Sequence, residues 1–253
     1  MIEAFEKTKL AGSVAAGALD EVNDLIKPGV STSEIDKLCY QYISDHNAFS
    51  APLYYRGYPK SCCTSTNHVV CHGIPSEKIL KDGDIVNVDV TAIKDGWHGD
   101  TSRMFIVGEC SVKAKKLIKI TYEAMMNAIK NIKADLKIGN IGYTIQKKVE
   151  AEGFSVVRDF CGHGIGKKFH ESPNVLHYGE KNSGQDLKEG MIFTVEPMIN
   201  LGRYETKTLK DGWTAVTKDK SLSAQFEHTV GVTKEGYEIF TLSKKGLNFP
   251  PNL

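Results

Sequence analysis

The feature that most constrains this chain is an echo of itself. Leu80-Lys81-Asp82-Gly83-Asp84-Ile85-Val86-Asn87-Val88-Asp89 returns 107 residues later as Leu187-Lys188-Glu189-Gly190-Met191-Ile192-Phe193-Thr194-Val195-Glu196. Both copies read as a glycine turn feeding a short strand, with a carboxylate at the same position. The upstream segments repeat too. Leu10, Val14, Ala18, Val22 and Leu25 recur at close to helical spacing until Lys27-Pro28-Gly29 stops them. Ser31 and Glu34 then form a capping-box pattern opening a second helix through Ile35, Leu38 and Tyr42. In the later half Leu117, Thr121, Ala124, Ala128 and Ile132 mark one helix. Gly139-Asn140 punctuate it, Ile141, Ile145 and Val149 mark another, and Gly153 is its stop.

Each half therefore reads as helix, helix, then strands. Strands grouped after helices favour an α+β class with antiparallel sheet over alternating βαβ units. No Pro/Ser-rich linker divides the halves, roughly 1–108 and 109–253. They are expected to share one sheet in a single domain, 1–253, with approximate twofold symmetry and a site between them.

The first copy runs on into a hairpin. Lys94-Asp95-Gly96 is its turn signal, and the chain returns through Trp97-His98-Gly99-Asp100. A turn centred between Lys94 and Asp95 would set Asp89 directly opposite Asp100, with Val86 and Val88 on the other face. Two ionised carboxylates ~5 Å apart repel by about 3 kcal/mol at an effective dielectric of 20. A shared proton, basic partners or a bound cation could offset that.

The second half adds Glu196, the repeat-mate of Asp89. It also adds His163 within Cys161-Gly162-His163-Gly164-Ile165-Gly166, and Glu227 in Gln225-Phe226-Glu227-His228-Thr229, which starts a strand leading to a hairpin near Lys234-Glu235-Gly236. Two Asp, two Glu and one His make an oxygen-rich set with one imidazole, suited to two divalent first-row ions such as Mn, Fe, Co or Zn. Four negative charges balance two such ions, and a paired site can hold a bridging hydroxide at neutral pH. Other motifs fail: Cys161 and Lys168 break a P-loop pattern, Lys167 breaks G-x-G-x-x-G, and neither G-x-S-x-G nor H-E-x-x-H occurs.

Composition narrows the partners. A formal net charge of +1 carries no electrostatic footprint for nucleic acid or anionic membrane. No apolar run approaches the ~18 residues of a spanning helix. The start, with Glu3, Glu6, Asp20 and Glu21, lacks a signal-peptide layout. Cys39, Cys62, Cys63, Cys71, Cys110 and Cys161 contain no C-x-x-C pair and read as reduced thiols. A cytoplasmic, membrane-free protein is expected.

Segments across most of the chain closely resemble the type I methionine aminopeptidases. They include Tyr58-Pro59-Lys60-Ser61, Cys71-His72-Gly73-Ile74-Pro75, Val86 to Val90, His98-Gly99-Asp100-Thr101, Cys161 to Gly166, Phe169-His170-Glu171, Phe193 to Met198 and Ser223 to Thr229. The resemblance implies a pita-bread fold, two related αβ halves around a shared antiparallel sheet flanked by helices. It implies removal of the initiator methionine from nascent chains. A monomer and ribosome association are separate expectations. Asp89, Asp100, His163, Glu196 and Glu227 match the metal ligands, Asp100 and Glu227 those shared by both ions. Glu196 matches the proton shuttle, and His72 and His170 match the histidines that contact substrate and stabilise the tetrahedral intermediate. Tyr55, Tyr58, Cys63, Phe169 and Trp213 match the methionine pocket. Asn67, Val69 and Ser223 match a monovalent-cation site.

The sequence departs from the family at Pro52, Arg56 and His68, all bearing on the pocket rim. The short span from His170 to Glu196 leaves no room for a type II insertion, and no N-terminal zinc extension is seen, so a bacterial short form is expected. An X-Pro or creatine-cleaving relative would usually carry a large N-terminal domain. A non-catalytic binding relative would typically have lost ligands that are all present here.

Overall fold

The structure is a computed structural model and describes residues 1–251 and 253. Two helices open each half: α1 (Ile2–Leu25) and α2 (Thr32–Asp45), then α3 (Val112–Lys130) and α4 (Gly139–Ala151). The expected capping box forms at α2, where Ser31 N–H donates to Glu34 Oε2 at 2.7 Å and Glu34 N–H to Ser31 Oγ at 3.3 Å. Gly139 opens α4 rather than separating it from α3, and Gly153 follows with φ of 79°.

Among the described residues the main sheet has nine strands: β1 (Phe49–Ser50), β2 (Cys63–Thr66), β3 (Ile85–Lys94), β4 (Trp97–Ile106), β5 (Gly162–Gly164), β6 (Glu171–Val175), β7 (Ile192–Val195), β8 (Glu227–Val232) and β9 (Tyr237–Ile239). Its path runs β1-β3-β4-β8-β7-β5-β6, with β2 also on β3 and β9 also on β8. Every pairing is antiparallel. The repeated segments become β3 and β7. They flank a central seam where β4 of the first half pairs with β8 of the second through Ser102 with Glu227 and Thr101 with His228.

Each half has a core of its own, and Ile85 and Met104 of the first half join that of the second. Val86, Val88 and Val90 of β3 pack with Val14, Ala18, Leu19 and Val22 of α1 and Ile35 and Ile43 of α2. Phe193, Val195, Val230 and Val232 pack against α3 and α4. The period of two in a strand then sends Asn87, Asp89 and Thr91 to the opposite face. Gly99 lets α1 lie close on the sheet, because a Cβ there would strike the backbone of Gly12. Arg103 turns toward α1 and is buried against Asp20, Nη1 to Oδ1 2.5 Å, a pairing that no sequence pattern announced.

The β3–β4 register differs from the expected one. Lys94 pairs with Trp97 around a two-residue turn, so Asp89 lies opposite Ser102 and Asp100 opposite Thr91. Asp95 and Gly96 take φ of 50° and 80°. Positive φ at both turn positions gives the tight turn whose twist suits a hairpin, and Asp-Gly supplies it. The centre therefore sits one residue later than supposed. The two aspartates remain on one face but lie diagonally.

Two three-stranded sheets complete the fold. One joins Ser223–Gln225, Met198–Asn200 and Ser155–Val156; the other joins Thr206–Thr208, Ala215–Thr217 and Val69–Cys71. The expected strand from Gln225 is thus split at Phe226, with Ser223–Gln225 in a small sheet and β8 beginning at Glu227. Val70, Cys71, Val157, Met198 and Ala215 form a third apolar cluster behind the site.

Candidate metal centre

The ladder brings the acids together. Asp89, Ser102 and Glu227 form one row across β3, β4 and β8. Val195 pairs with His228, so Glu196, just past β7, falls beside that row. Asp100 lies two pairs along β4, on the same face, and His163 comes from β5. One oxygen each of Asp100 and Glu227 and one ring nitrogen of His163 all lie within 4.8 Å of one another. His163 Nε2 is 3.5 Å from Glu196 Oε1 and 3.8 Å from Asp100 Oδ2. The charge of Asp100 also bears on Asp89. All five expected ligands line one cavity of about 410 Å³.

Burial dominates the electrostatics. It pushes Asp100 up to about 7. Burial, then the charge of Asp100, pushes Glu196 up to about 8. Burial followed by the charges of neighbouring acids holds Asp89 and Glu227 well above the usual carboxylate range. His163 is lowered to about 4 by burial, which keeps its ring neutral and its lone pair available. Glu227 Oε1 is buried without a hydrogen-bond partner. Four crowded carboxylates, an unpartnered oxygen and a neutral imidazole form a donor set that multivalent cations fit, and cations would remove the penalty of ionising the acids.

Neighbouring hydroxyls and amides hold the acids in place. Thr91 Oγ1 donates to Asp100 Oδ1 at 2.6 Å, and Thr194 Oγ1 donates to Glu196 Oε1 at 2.7 Å. Gln225 Nε2 donates to Glu196 Oε2 at 3.3 Å, while Asn87 Nδ2 holds the Gln225 carbonyl at 2.8 Å. The Glu196 N–H donates to Nε2 of buried His177 at 3.1 Å. These residues are not among the site residues expected from the sequence. Thr91 and Thr194 could have been found, each two positions from an acid and hence on its face. His177 carries no such local signal.

The other expected site residues, His72, His170, Tyr55, Tyr58, Cys63, Phe169 and Trp213, line the same cavity. Phe160, Met198 and Cys161 join them. Tyr58 packs edge-on against Trp213 at 5.1 Å, and Tyr55 stacks on His170 at 5.2 Å with its hydroxyl 3.1 Å from Nδ1. Burial lowers His170 to about 3, with the charge of His163 adding to it, and burial lowers His72. Asn67 and Ser223 meet where Ser223 N–H donates to the Asn67 carbonyl at 2.8 Å, and Ser223 Oγ is buried without a partner. Val69 lies on the adjoining small sheet.

An acid cluster with one imidazole lining a cleft is a metallopeptidase type of site, and comparison agrees. The chain belongs to metallopeptidase family M24, which it matches over residues 6–234. It is 58% identical to the methionine aminopeptidase of Rickettsia prowazekii (strain Madrid E) over 248 residues, 98% of this chain and 96% of that protein. It is 56% identical to the methionine aminopeptidase of Escherichia coli (strain K12) over 244 residues, 96% of this chain and 92% of that protein. The crystal structure of the Rickettsia prowazekii enzyme superposes with a TM-score of 0.95, covering 96% of this chain and 98% of that one. The fold is the pita-bread arrangement that the resemblance implied.

Proposed function

We propose that this chain removes the initiator methionine from nascent polypeptides as a metal-dependent methionyl aminopeptidase. One observation carries the reading: the acid cluster and its imidazole share a single cavity with a wall of Tyr58, Cys63, Phe160, Met198 and Trp213. Aromatic rings and sulfur suit a thioether side chain, and the cavity size suits one residue and the bond beyond it. The names of the similar proteins support the same substrate.

Asp89, Asp100, His163, Glu196 and Glu227 would hold two divalent cations of the Co, Mn, Fe or Zn kind, with Asp100 and Glu227 shared. When bound, such a pair supplies an acidified water as nucleophile and positive charge for the scissile carbonyl oxygen. Glu196 would take the proton that this water loses and deliver it to the leaving amine. Burial raises the proton affinity of its carboxyl, which favours that role. The Tyr55 hydroxyl beside Nδ1 of His170 can donate to that nitrogen, leaving the proton on Nε2 to meet the developing oxyanion. His72, edge-on to Phe160 and Trp213, would be a second contact to the substrate. Asn67, Val69 and Ser223 would hold one monovalent cation. We infer one catalytic unit spanning 1–253, working as a monomer in the cytoplasm near ribosomes. No helix among the described residues is long and apolar enough to cross a membrane.

The test is cleavage of Met-Ala-Ser after exhaustive chelation. Activity should vanish and return with Mn²⁺, Fe²⁺, Co²⁺ or Zn²⁺. Cleavage indifferent to chelator, or surviving Asp100→Ala, would sink the reading.

A further inference from the structure

Arg56 is the one lysine or arginine among the side chains lining the cavity, against the acids Asp89, Asp100, Asp159, Glu196 and Glu227. It sits at the rim, exposed, in the short turn Tyr55–Gly57. That turn is held in left-handed backbone: Tyr54 has φ of 67°, Arg56 48° and Gly57 86°. Such conformations are costly for residues with a Cβ and concentrate at ligand-binding segments. The guanidinium carbon lies 5.3 Å from the centroid of the Tyr55 ring. Tyr55 in turn rests on Phe169 and His170 at 5.0 and 5.2 Å. The cation is thus parked on an aromatic stack, which limits the rotamer freedom it has to lose on binding. No carboxylate among the described residues lies within ion-pair reach of it, unlike Arg103 with its Asp20.

The proposal rests on the aminopeptidase reading. With the methionine side chain against the apolar wall and the cut bond over the acids, the rest of the peptide must leave through the rim. An extended chain advances ~3.3 Å per residue. The third residue is then the first whose side chain clears the cavity within reach of a long side chain anchored at the rim. A loaded centre would match the four inner acids with equal positive charge, leaving Arg56 and Asp159 to set the charge of the mouth. Asp159 already accepts a hydrogen bond from Thr206 Oγ1 at 2.5 Å, whereas no side chain among the described residues takes a hydrogen bond from the guanidinium. We propose that Arg56 is a specificity-determining residue that favours peptides carrying a carboxylate at their third position.

The experiment compares Met-Ala-Glu-Ser-amide with Met-Ala-Gln-Ser-amide on the metal-loaded enzyme, an isosteric pair differing by one charge. The acidic peptide should be favoured three- to fivefold in kcat/KM, chiefly through KM, as suits a rim-exposed pair. The preference should fade toward unity as NaCl approaches 1 M. Arg56→Gln should bring the ratio close to one, Arg56→Lys should retain part of it, and Arg56→Glu should invert it. Cleavage of both peptides with a ratio that Arg56→Glu leaves unchanged would overturn the role of Arg56 alone. Cleavage of neither peptide with any of the four metals would overturn the aminopeptidase reading and the inference with it.

Discussion

Thr91 faces Asp100 across the β3–β4 hairpin and donates its hydroxyl to Oδ1 at 2.6 Å, while Asp89, two residues earlier, shares the same face. One strand thus supplies both a carboxylate and the hydroxyl that aims its neighbour. The arrangement follows from the period of two and from the Asp95-Gly96 turn that sets the register.

Thr91→Val removes that aim while keeping shape and leaving the ligand count intact. Groups that orient metal ligands typically contribute 10- to 100-fold in affinity. Divalent-metal affinity, measured by calorimetry on stripped protein, should fall about tenfold, and excess metal should recover most of the peptide cleavage. Undiminished affinity would mean that Asp100 needs no partner.

His170→Ala should act on the chemical step. If the imidazole meets the carbonyl oxygen mainly as charge develops, its loss should lower kcat on Met-Ala-Ser by about 100-fold with little change in KM. A raised KM at constant kcat would assign it to ground-state binding instead. Tyr55→Phe should reproduce a smaller share of the loss, because it removes only the hydroxyl beside Nδ1.

Metal-stripped protein should show two stability slopes. Asp100 and Glu196 are raised to about 7 and about 8, so the folded state holds these protons more tightly than the unfolded one. Their stabilising contribution is full below ordinary carboxylate pKa values and is lost as pH rises through about 7 to 8. Buried His177 and His228 are each lowered to about 3, by burial first and then by the charges of His163 and Arg103 respectively. Their contribution is full above ~6.5 and is lost as pH falls toward 3. Between pH 6.5 and 8 only the acids act, so Tm should fall with rising pH, and saturating Mn²⁺ should abolish that fall. Below pH 4 Tm should fall with acid. A flat Tm from 6.5 to 8 without metal would contradict the crowding of charges described above.

Much of this was legible beforehand, for physical reasons. The helices announced themselves through spacing and caps, as at Ser31 and Glu34, because those signals are local. The self-echo ending in Asp89 and Glu196 revealed the symmetry, since a repeated turn and strand is a repeated shape. The hairpin register was misjudged because a glycine turn reads the same whichever of two adjacent positions carries its centre; backbone twist decided it. The break at Phe226 was hidden because β-type composition runs straight through it. His177 and the Arg103–Asp20 pair were beyond reach because each depends on chain segments that meet only after folding.

The seam between the halves has a consequence for assembly. Along it Ser102 pairs with Glu227 and Thr101 with His228, Asp100 and Thr229 exchange hydrogen bonds at 3.0 and 2.7 Å, and the acids that crowd its outer face come from both sides. Left bare, those charges push the repeats apart across that seam. Cations seated there would work as a keystone, so that loading the centre and locking the repeats together become a single event.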